Sequence, residues 1–347
     1  MIGGKVMKAM VLKALADLKK ESRPLVQEVL PDPVIEEDEI LIRISRCGIC
    51  HTELDEIEGR TPPSFLPMVL GHQVVGYVVE RGKDSPHHVG DRVGVGWIYS
   101  SCGTCRQCER GLENLCGYFK ATGRDAFGGY AQYMKVKGDF AYPIPKGLSD
   151  SEAAPLLCAG AIGYRSLRLA NIKDGDALGL TGFGASGHLV LKMAKFMYPK
   201  TDVFVFARSP REREFALELG ASWAGDSLEQ APVKLQAIID TTPVWTPIIG
   251  ALNNLDSNGR LVINAIRKED MDKDVLGTID YASQLWMEKE IKSVANVARR
   301  DIIEFLNLAD KMSLKPEYQE YDMQEANEAL LELKNRKIKG AKVLVIE

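Results

Sequence analysis

Cys102, Cys105, Cys108 and Cys116 fall in one short run, Cys-Gly-Thr-Cys-Arg-Gln-Cys-Glu-Arg-Gly-Leu-Glu-Asn-Leu-Cys. This C-x2-C-x2-C-x7-C spacing constrains the chain more tightly than any other feature. Four thiolates suit the tetrahedral coordination of zinc, and close ligand spacing lowers the entropy of closing the chain around the ion. Binding energy then becomes folding energy for the loop. A four-thiolate site has no open coordination position, so an ion held there is structural. Any chemistry must be sought elsewhere.

Three more cysteines, Cys47, Cys50 and Cys158, bring the total to seven in 347 residues. Lys5, Lys8 and Lys13 interrupt the only short apolar stretch near the start, which is therefore not a secretory core. An odd cysteine count in such a chain points to a reducing, cytoplasmic setting, where thiols bind metal and do not form a disulfide framework. No apolar run approaches the length of a membrane span. A net charge of −4 leaves no electrostatic footprint for nucleic acid. The basic residues between Lys334 and Lys339 lie among acidic ones and read as a solvated helix face.

The length suggests two domains. Residues 1 to roughly 160 are rich in glycine, proline and short Val/Ile runs, as at 39–45, 74–80 and 91–98. Short strands at this spacing point to an all-β, barrel-like domain. From 176 to about 295 the texture changes. Apolar runs at 177–180, 203–206, 237–240, 261–265 and 291–295 alternate with helical stretches, the pattern of a parallel sheet covered by helices on both faces. One of those helices is well marked: Ser209 can cap it, Pro210 suits its first turn and Gly220 suits the position just past its end. The tail predicts helices near 302–312 and 323–334 and a last strand at 343–346, whose texture returns it to the first domain.

Gly182, Gly184 and Gly187 stand in G-x-G-x-x-G spacing. Alone that pattern is weak, but here it follows an apolar strand and opens a helix, the context a dinucleotide site requires. Gly182 allows the tight turn, Gly184 lets backbone approach a pyrophosphate, and Gly187 lets helix and strand pack closely. The helix start adds amide donors and a positive dipole end. At the end of the next strand an NAD site wants a carboxylate for the ribose hydroxyl. The residue there is Ala207, followed by Arg208, Ser209, Arg211 and Arg213. A guanidinium and a hydroxyl without a carboxylate favour the 2′-phosphate of NADP(H) over NAD(H). The competing reading is that these arginines decorate an exposed helix start.

Taken in order, Cys47-Gly-Ile-Cys-His-Thr-Glu53, Gly71-His-Gln-Val-Val-Gly76, Gly90-Asp-Arg-Val-Gly94, the four-cysteine loop, Pro155-Leu-Leu-Cys-Ala-Gly160 and the glycine turn resemble the zinc-containing alcohol dehydrogenases of the medium-chain dehydrogenase/reductase superfamily. The resemblance covers nearly the whole chain. It implies an α/β protein with a GroES-like β-barrel catalytic domain (1–164 and 297–347) and a Rossmann doubly wound parallel-sheet domain (165–296). By position it places a catalytic zinc on Cys50, His72 and Cys158, giving two zinc ions per chain, and leaves Cys47 as a buried apolar residue. Two thiolates and one imidazole make a net-neutral site with one open position. The implied reaction passes a hydride between a small alcohol, whose hydroxyl the zinc acidifies, and the nicotinamide.

The resemblance further places Thr52 in the proton path, His51 near cofactor phosphate, Glu53 among the groups that orient the ligands, and Trp97 on a wall of the substrate pocket. There are departures. Gln73 stands where glutamate is usual, which weakens any exchange of glutamate for water on the zinc. Asp55 stands where some relatives end the proton relay with histidine. Ala341, flanked by Lys339 and Lys342, stands where an arginine often touches cofactor phosphate. Two alternatives remain open: a polyol or amino-acid-derived alcohol as substrate, and a zinc- and nucleotide-binding protein without catalysis. By analogy with the family, a homo-oligomer, dimer or tetramer, is expected.

Overall fold

The strand Glu39–Ile49 is the spine of the first unit. The structure, a computed structural model, describes residues 6–335 and 340–347, so Lys339 lies outside the described residues. Ile40, Ile42 and Ile44 alternate along this strand and are at most 1% exposed. Each contributes up to about 1.5–3 kcal/mol of hydrophobic stabilisation. One edge of the strand pairs antiparallel with Gln73–Arg81; the other takes Tyr133–Lys137 along its first half and Ala341–Val345 along its second. Arg92–Val95, Ala141–Pro143 and Tyr318–Asp322 complete a seven-stranded sheet. A second sheet is built from Leu25–Pro31, Val6–Leu12 and Met68–Val69. These sheets share a core that includes Leu12, Met68, Val74, Tyr130 and Leu344. The tail helices are Arg299–Lys311 and Ala326–Lys334, and the tail is part of this unit.

The second unit holds a six-stranded sheet in which every pairing is parallel. Its order is Trp223–Gly225, Asp202–Phe206, Ala177–Thr181, Leu235–Asp240, Leu255–Ile263, Glu290–Ser293. From the central strand Ala177–Thr181 the chain winds outward first one way and then the other, the doubly wound arrangement. Strands covered on both faces are apolar almost throughout, as in Val203–Phe206 and at Ile238, Ile239, Leu261 and Val262, all at most 5% exposed.

Several expectations need correction. Trp223–Gly225 is a strand that no apolar run announces, because it is only three residues long and ends in glycine. Leu255–Ile263 begins well before 261, and its early residues Asp256, Ser257 and Asn258 are polar and not buried. Ser209 occupies the position before the helix Pro210–Glu218, but its hydroxyl makes no capping bond. Contacts divide the chain into Met1–Cys158 with Val297–Glu347, and Ala159–Asn296. The first boundary lies earlier than 164/165. No linker composition marks it, because the chain runs helically through Asp150–Pro155, Leu156–Gly160 and Ala161–Ala170. Among the described residues no helix is long and apolar enough to cross a membrane.

Candidate active site and metal centres

Cys50 ends the spine strand and begins the helix His51–Ile57. Its sulfur accepts from the Thr52 amide at 3.4 Å, and its own amide donates to Glu53 Oε2 at 2.8 Å. A single turn of helix therefore fixes the position of the thiol. His72 is set by the glycine before it. Gly71 has φ +96, and a Cβ there would lie 2.5 Å from the Tyr130 ring, so only glycine lets the chain turn His72 inward. Cys158 lies in Leu156–Gly160, a π-helical turn directly after Pro155. Proline donates no amide hydrogen and crowds the preceding turn, and such widened turns re-aim side chains at functional sites.

The structure brings Cys50, His72 and Cys158 together, with one donor atom from each inside a 4.8 Å span. Cys50 Sγ is 3.7 Å from His72 Nε2. Zinc bonded to sulfur and nitrogen at usual lengths separates those atoms by about 3.6 Å, so the donors suit that ion in spacing as well as in chemistry. Cys47 is not in the group; it is fully buried, with its thiol 3.6 Å from the Gly48 carbonyl.

Glu53 reaches both His72 and Cys50. Its Oε1 is 2.6 Å from His72 Nδ1 while its Oε2 holds the Cys50 amide. A carboxylate only accepts, so the His72 proton sits on Nδ1 and Nε2 keeps its lone pair for a metal. Burial opposes a charge on His72, but Glu53 and Cys50 outweigh it and raise its pKa well above the ordinary imidazole value. The hydrogen bond between Cys50 and Cys158, then burial and Glu53, raise the Cys50 thiol. Metal binding reverses both tendencies, because a dication displaces protons from its ligands.

Beside this group lies a feature no sequence pattern announced. Glu56 is fully buried, and neither of its oxygens has a hydrogen-bond partner. The Gln73 Nε2 and Tyr130 hydroxyl atoms are likewise buried without one. Burial, reinforced by the charge of Glu53, raises the Glu56 carboxyl well above the ordinary range. The one available hint was position: Glu56 follows Glu53 by three residues and so shares its helix face.

Thr52 is half-buried and His51 exposed. Trp97 is 9% exposed, with Phe119 at 5.3 Å and the Arg124 guanidinium 5.1 Å from its ring. Asp55 is bound to Arg60. Lys342 is buried, paired with Glu332 at 2.6 Å and stacked on Tyr321, so its ammonium is committed within the first unit.

Cys102, Cys105, Cys108 and Cys116 form the second group. Sulfur–sulfur separations are 3.5 Å for Cys102–Cys116, 3.6 Å for Cys105–Cys108 and 3.9 Å for Cys102–Cys108. A tetrahedral zinc tetrathiolate has edges of about 3.8 Å, so these thiols too fit the ion. The thiols are not equivalent. Amides of Thr104 and Cys105 lower Cys102 to about 6, while burial pushes Cys108 up to about 11.

In the second unit, Gly182 turns the chain with φ +79, and a Cβ there would meet Thr241 Oγ1 at 2.8 Å. Gly184 precedes the helix Ala185–Met197 in open space, and a Cβ on Gly187 would strike the Gly182 carbonyl at 2.7 Å. Ala207 is buried, Arg208 exposed and Ser209 half-buried. Arg213 donates to the carbonyls of Ala207 at 2.8 Å and Arg208 at 3.2 Å, bracing the turn that displays its neighbours.

Residues 36–146 match the family model described as the alcohol dehydrogenase GroES-like domain. The chain is 39% identical over 314 residues to the probable alcohol dehydrogenase AdhA of Mycobacterium tuberculosis (strain CDC 1551 / Oshkosh), covering 89% of each. It is 32% identical over 325 residues to an alcohol dehydrogenase of Geobacillus stearothermophilus, covering 91% of this chain and 94% of that one. The solved structure of the cinnamyl alcohol dehydrogenase SbCAD4 from Sorghum bicolor aligns with a TM-score of 0.83 at 26% identity, over 98% of each chain. A GroES-like unit and a doubly wound parallel sheet on one chain define a medium-chain oxidoreductase. The chain belongs to the zinc-type alcohol dehydrogenases of that superfamily and is an NAD(P)-dependent alcohol dehydrogenase.

Proposed function

We propose that the protein interconverts a small primary alcohol and its aldehyde, with a catalytic zinc on Cys50, His72 and Cys158, a structural zinc on the other four cysteines, and NADP(H) as hydride carrier. The observation that carries this is the Cys50–His72–Cys158 group, with Glu53 fixing the imidazole so that Nε2 faces the thiol. Zinc bound there supplies Lewis acidity that lowers the pKa of an alcohol hydroxyl, and the nicotinamide exchanges the hydride.

The chain's own residues do the rest. Glu53 holds the imidazole and the Cys50 amide so that the ligand geometry survives turnover. Thr52, half-buried two residues from Cys50, takes the alcohol proton on its hydroxyl and passes it outward. His51 is exposed at the helix start, and the family resemblance assigns it to cofactor phosphate. Gln73 keeps a neutral amide beside the donors, and Trp97 with Phe119 gives the pocket an aromatic wall.

Support for NADP(H) is the strand end at Ala207, which carries no carboxylate, with Arg208 exposed and the Ser209 hydroxyl uncommitted to capping. A homodimer or tetramer is part of the proposal. The edge strand Glu290–Ser293 is exposed at all four residues, and exposed Tyr281, Trp286 and Met287 lie nearby in sequence; a second copy would cover them. All seven cysteines are unbridged, which suits the cytoplasm.

The test is metal analysis joined to kinetics. The purified protein should hold two zinc ions and Cys50→Ser one, with kcat lost. Primary alcohols, cinnamyl alcohol and polyols should be run with both cofactors, and kcat/KM should be higher with NADP. Full zinc and activity in Cys50→Ser would refute the site; equal or better use of NAD would refute the cofactor assignment.

A further inference from the structure

The second unit contains a buried ion pair at the carboxyl ends of its strands. Lys268 Nζ lies 2.5 Å from Asp240 Oδ2 and donates to the carbonyls of Thr242 and Val244, both at 2.8 Å. The Lys268 side chain is 6% exposed and that of Asp240 0%. An ammonium has three protons, and these three acceptors use them all. The other carboxylate oxygen, Asp240 Oδ1, accepts from Thr181 Oγ1 at 2.8 Å and from Thr242 Oγ1 at 2.7 Å.

The position of this network in the sheet gives it meaning. Thr181 ends the central strand and immediately precedes Gly182. Asp240 ends the neighbouring strand Leu235–Asp240. Between these two strands the winding reverses, and in doubly wound sheets the crevice at that reversal, beyond the strands' carboxyl ends, takes the dinucleotide. The Thr181–Asp240 bond spans that point. Thr241 reinforces it, its amide and hydroxyl both donating to the Thr181 carbonyl at 2.9 and 3.1 Å. Thr241 is also the residue a side chain on Gly182 would strike. Lys268 brings in a third strand end, since it follows Leu255–Ile263, where the Asn264 amide holds the Asp240 carbonyl at 2.7 Å.

We propose that Lys268 and Asp240 are positioning residues for the dinucleotide: they lock the glycine turn and the 241–245 loop into the one arrangement that leaves the crevice open to the cofactor. This rests on the dinucleotide-binding reading above. A buried pair of this kind contributes little net stability against a well-packed apolar replacement, and register is its best-attested use. Losing one partner strands a charge and frees the loop carbonyls. A preorganised crevice binds its ligand without the cost of ordering it, so release of the loop falls on cofactor affinity.

The experiment titrates NADPH calorimetrically into zinc-loaded wild type, K268M, K268R and K268M/D240N, the last of which buries no unpaired charge. K268M should raise the NADPH Kd at least about tenfold while the alcohol KM at saturating cofactor stays within about twofold. Zinc content should not change, and K268R should recover part of the loss. A folded K268M or K268M/D240N that binds NADPH as tightly as wild type overturns the inference. So does a rise in alcohol KM matching the cofactor effect, or failure of both variants to fold, which would assign the pair to stability alone. A wild type that binds neither NADPH nor NADH sinks the dinucleotide reading instead.

Discussion

Glu53 is the residue on which the proposed metal site turns, because one carboxylate fixes both the His72 imidazole and the Cys50 amide. Glu53→Gln can turn its carboxamide to accept from His72, but without a charge, so zinc affinity should fall by about 10–100-fold, read by competition with a chelator. Glu56 makes the opposite case. Burial first, and then the charge of Glu53, raise its folded pKa. For a carboxyl raised on folding, the native state holds the extra proton. Stability is therefore greatest below the unfolded value and is lost as pH rises toward the folded one. Glu56→Gln should remove that slope, so melting temperatures of the zinc-loaded variant and wild type should diverge as pH rises above the ordinary carboxylate range, with the variant higher. The motif Cys-His-Thr-Glu made Glu53 conspicuous in sequence. Nothing local made Glu56 so, since the groups close enough to act on its charge include His72, Arg124 and Tyr130, all remote in sequence.

At the scale of elements, the four-thiol lobe has almost no core of its own. It comprises the short helix Arg106–Glu109, one turn at Glu113–Leu115 and glycine turns at Gly103 and Gly111. A protein tie is Arg299, which donates to Glu113 Oε1 at 2.8 Å from the start of the helix Arg299–Lys311. The zinc proposed for these four thiols would supply most of the lobe's order. Cys105→Ser should lower the melting temperature and expose the lobe to protease, while kcat per correctly folded molecule stays near wild type. An intact melting temperature with lost kcat would reverse that assignment. This lobe and the glycine turn were legible because each is a local code of spacing plus chemistry. The strand Trp223–Gly225 and the widened turn holding Cys158 were not, because neighbours and a proline decide them, not periodicity. The Lys268–Asp240 pair was hidden for a similar reason: its partners are remote in sequence, and only strand order brings them together.

At the scale of the whole molecule, the division into a barrel and a parallel sheet could be read from texture, since alternating short strands and apolar strand–helix repeats differ in period. The return of the tail was readable from its last strand, but the pairing partner was not. The exposed edge at Glu290–Ser293 predicts association: Trp286→Glu should shift the protein toward monomer by light scattering, with zinc content kept. The pairing of Leu344 with Cys47 and of Val345 with Arg46 carries a further consequence. The strand that carries Cys50 to the proposed metal site is hydrogen-bonded to one made far later in translation. Until that later strand is made, the edge at residues 46–49 that leads to Cys50 lacks its partner. A chain cut short before Ala341–Val345 leaves that edge unpaired there and should hold less zinc at the proposed Cys50 centre, read by metal analysis.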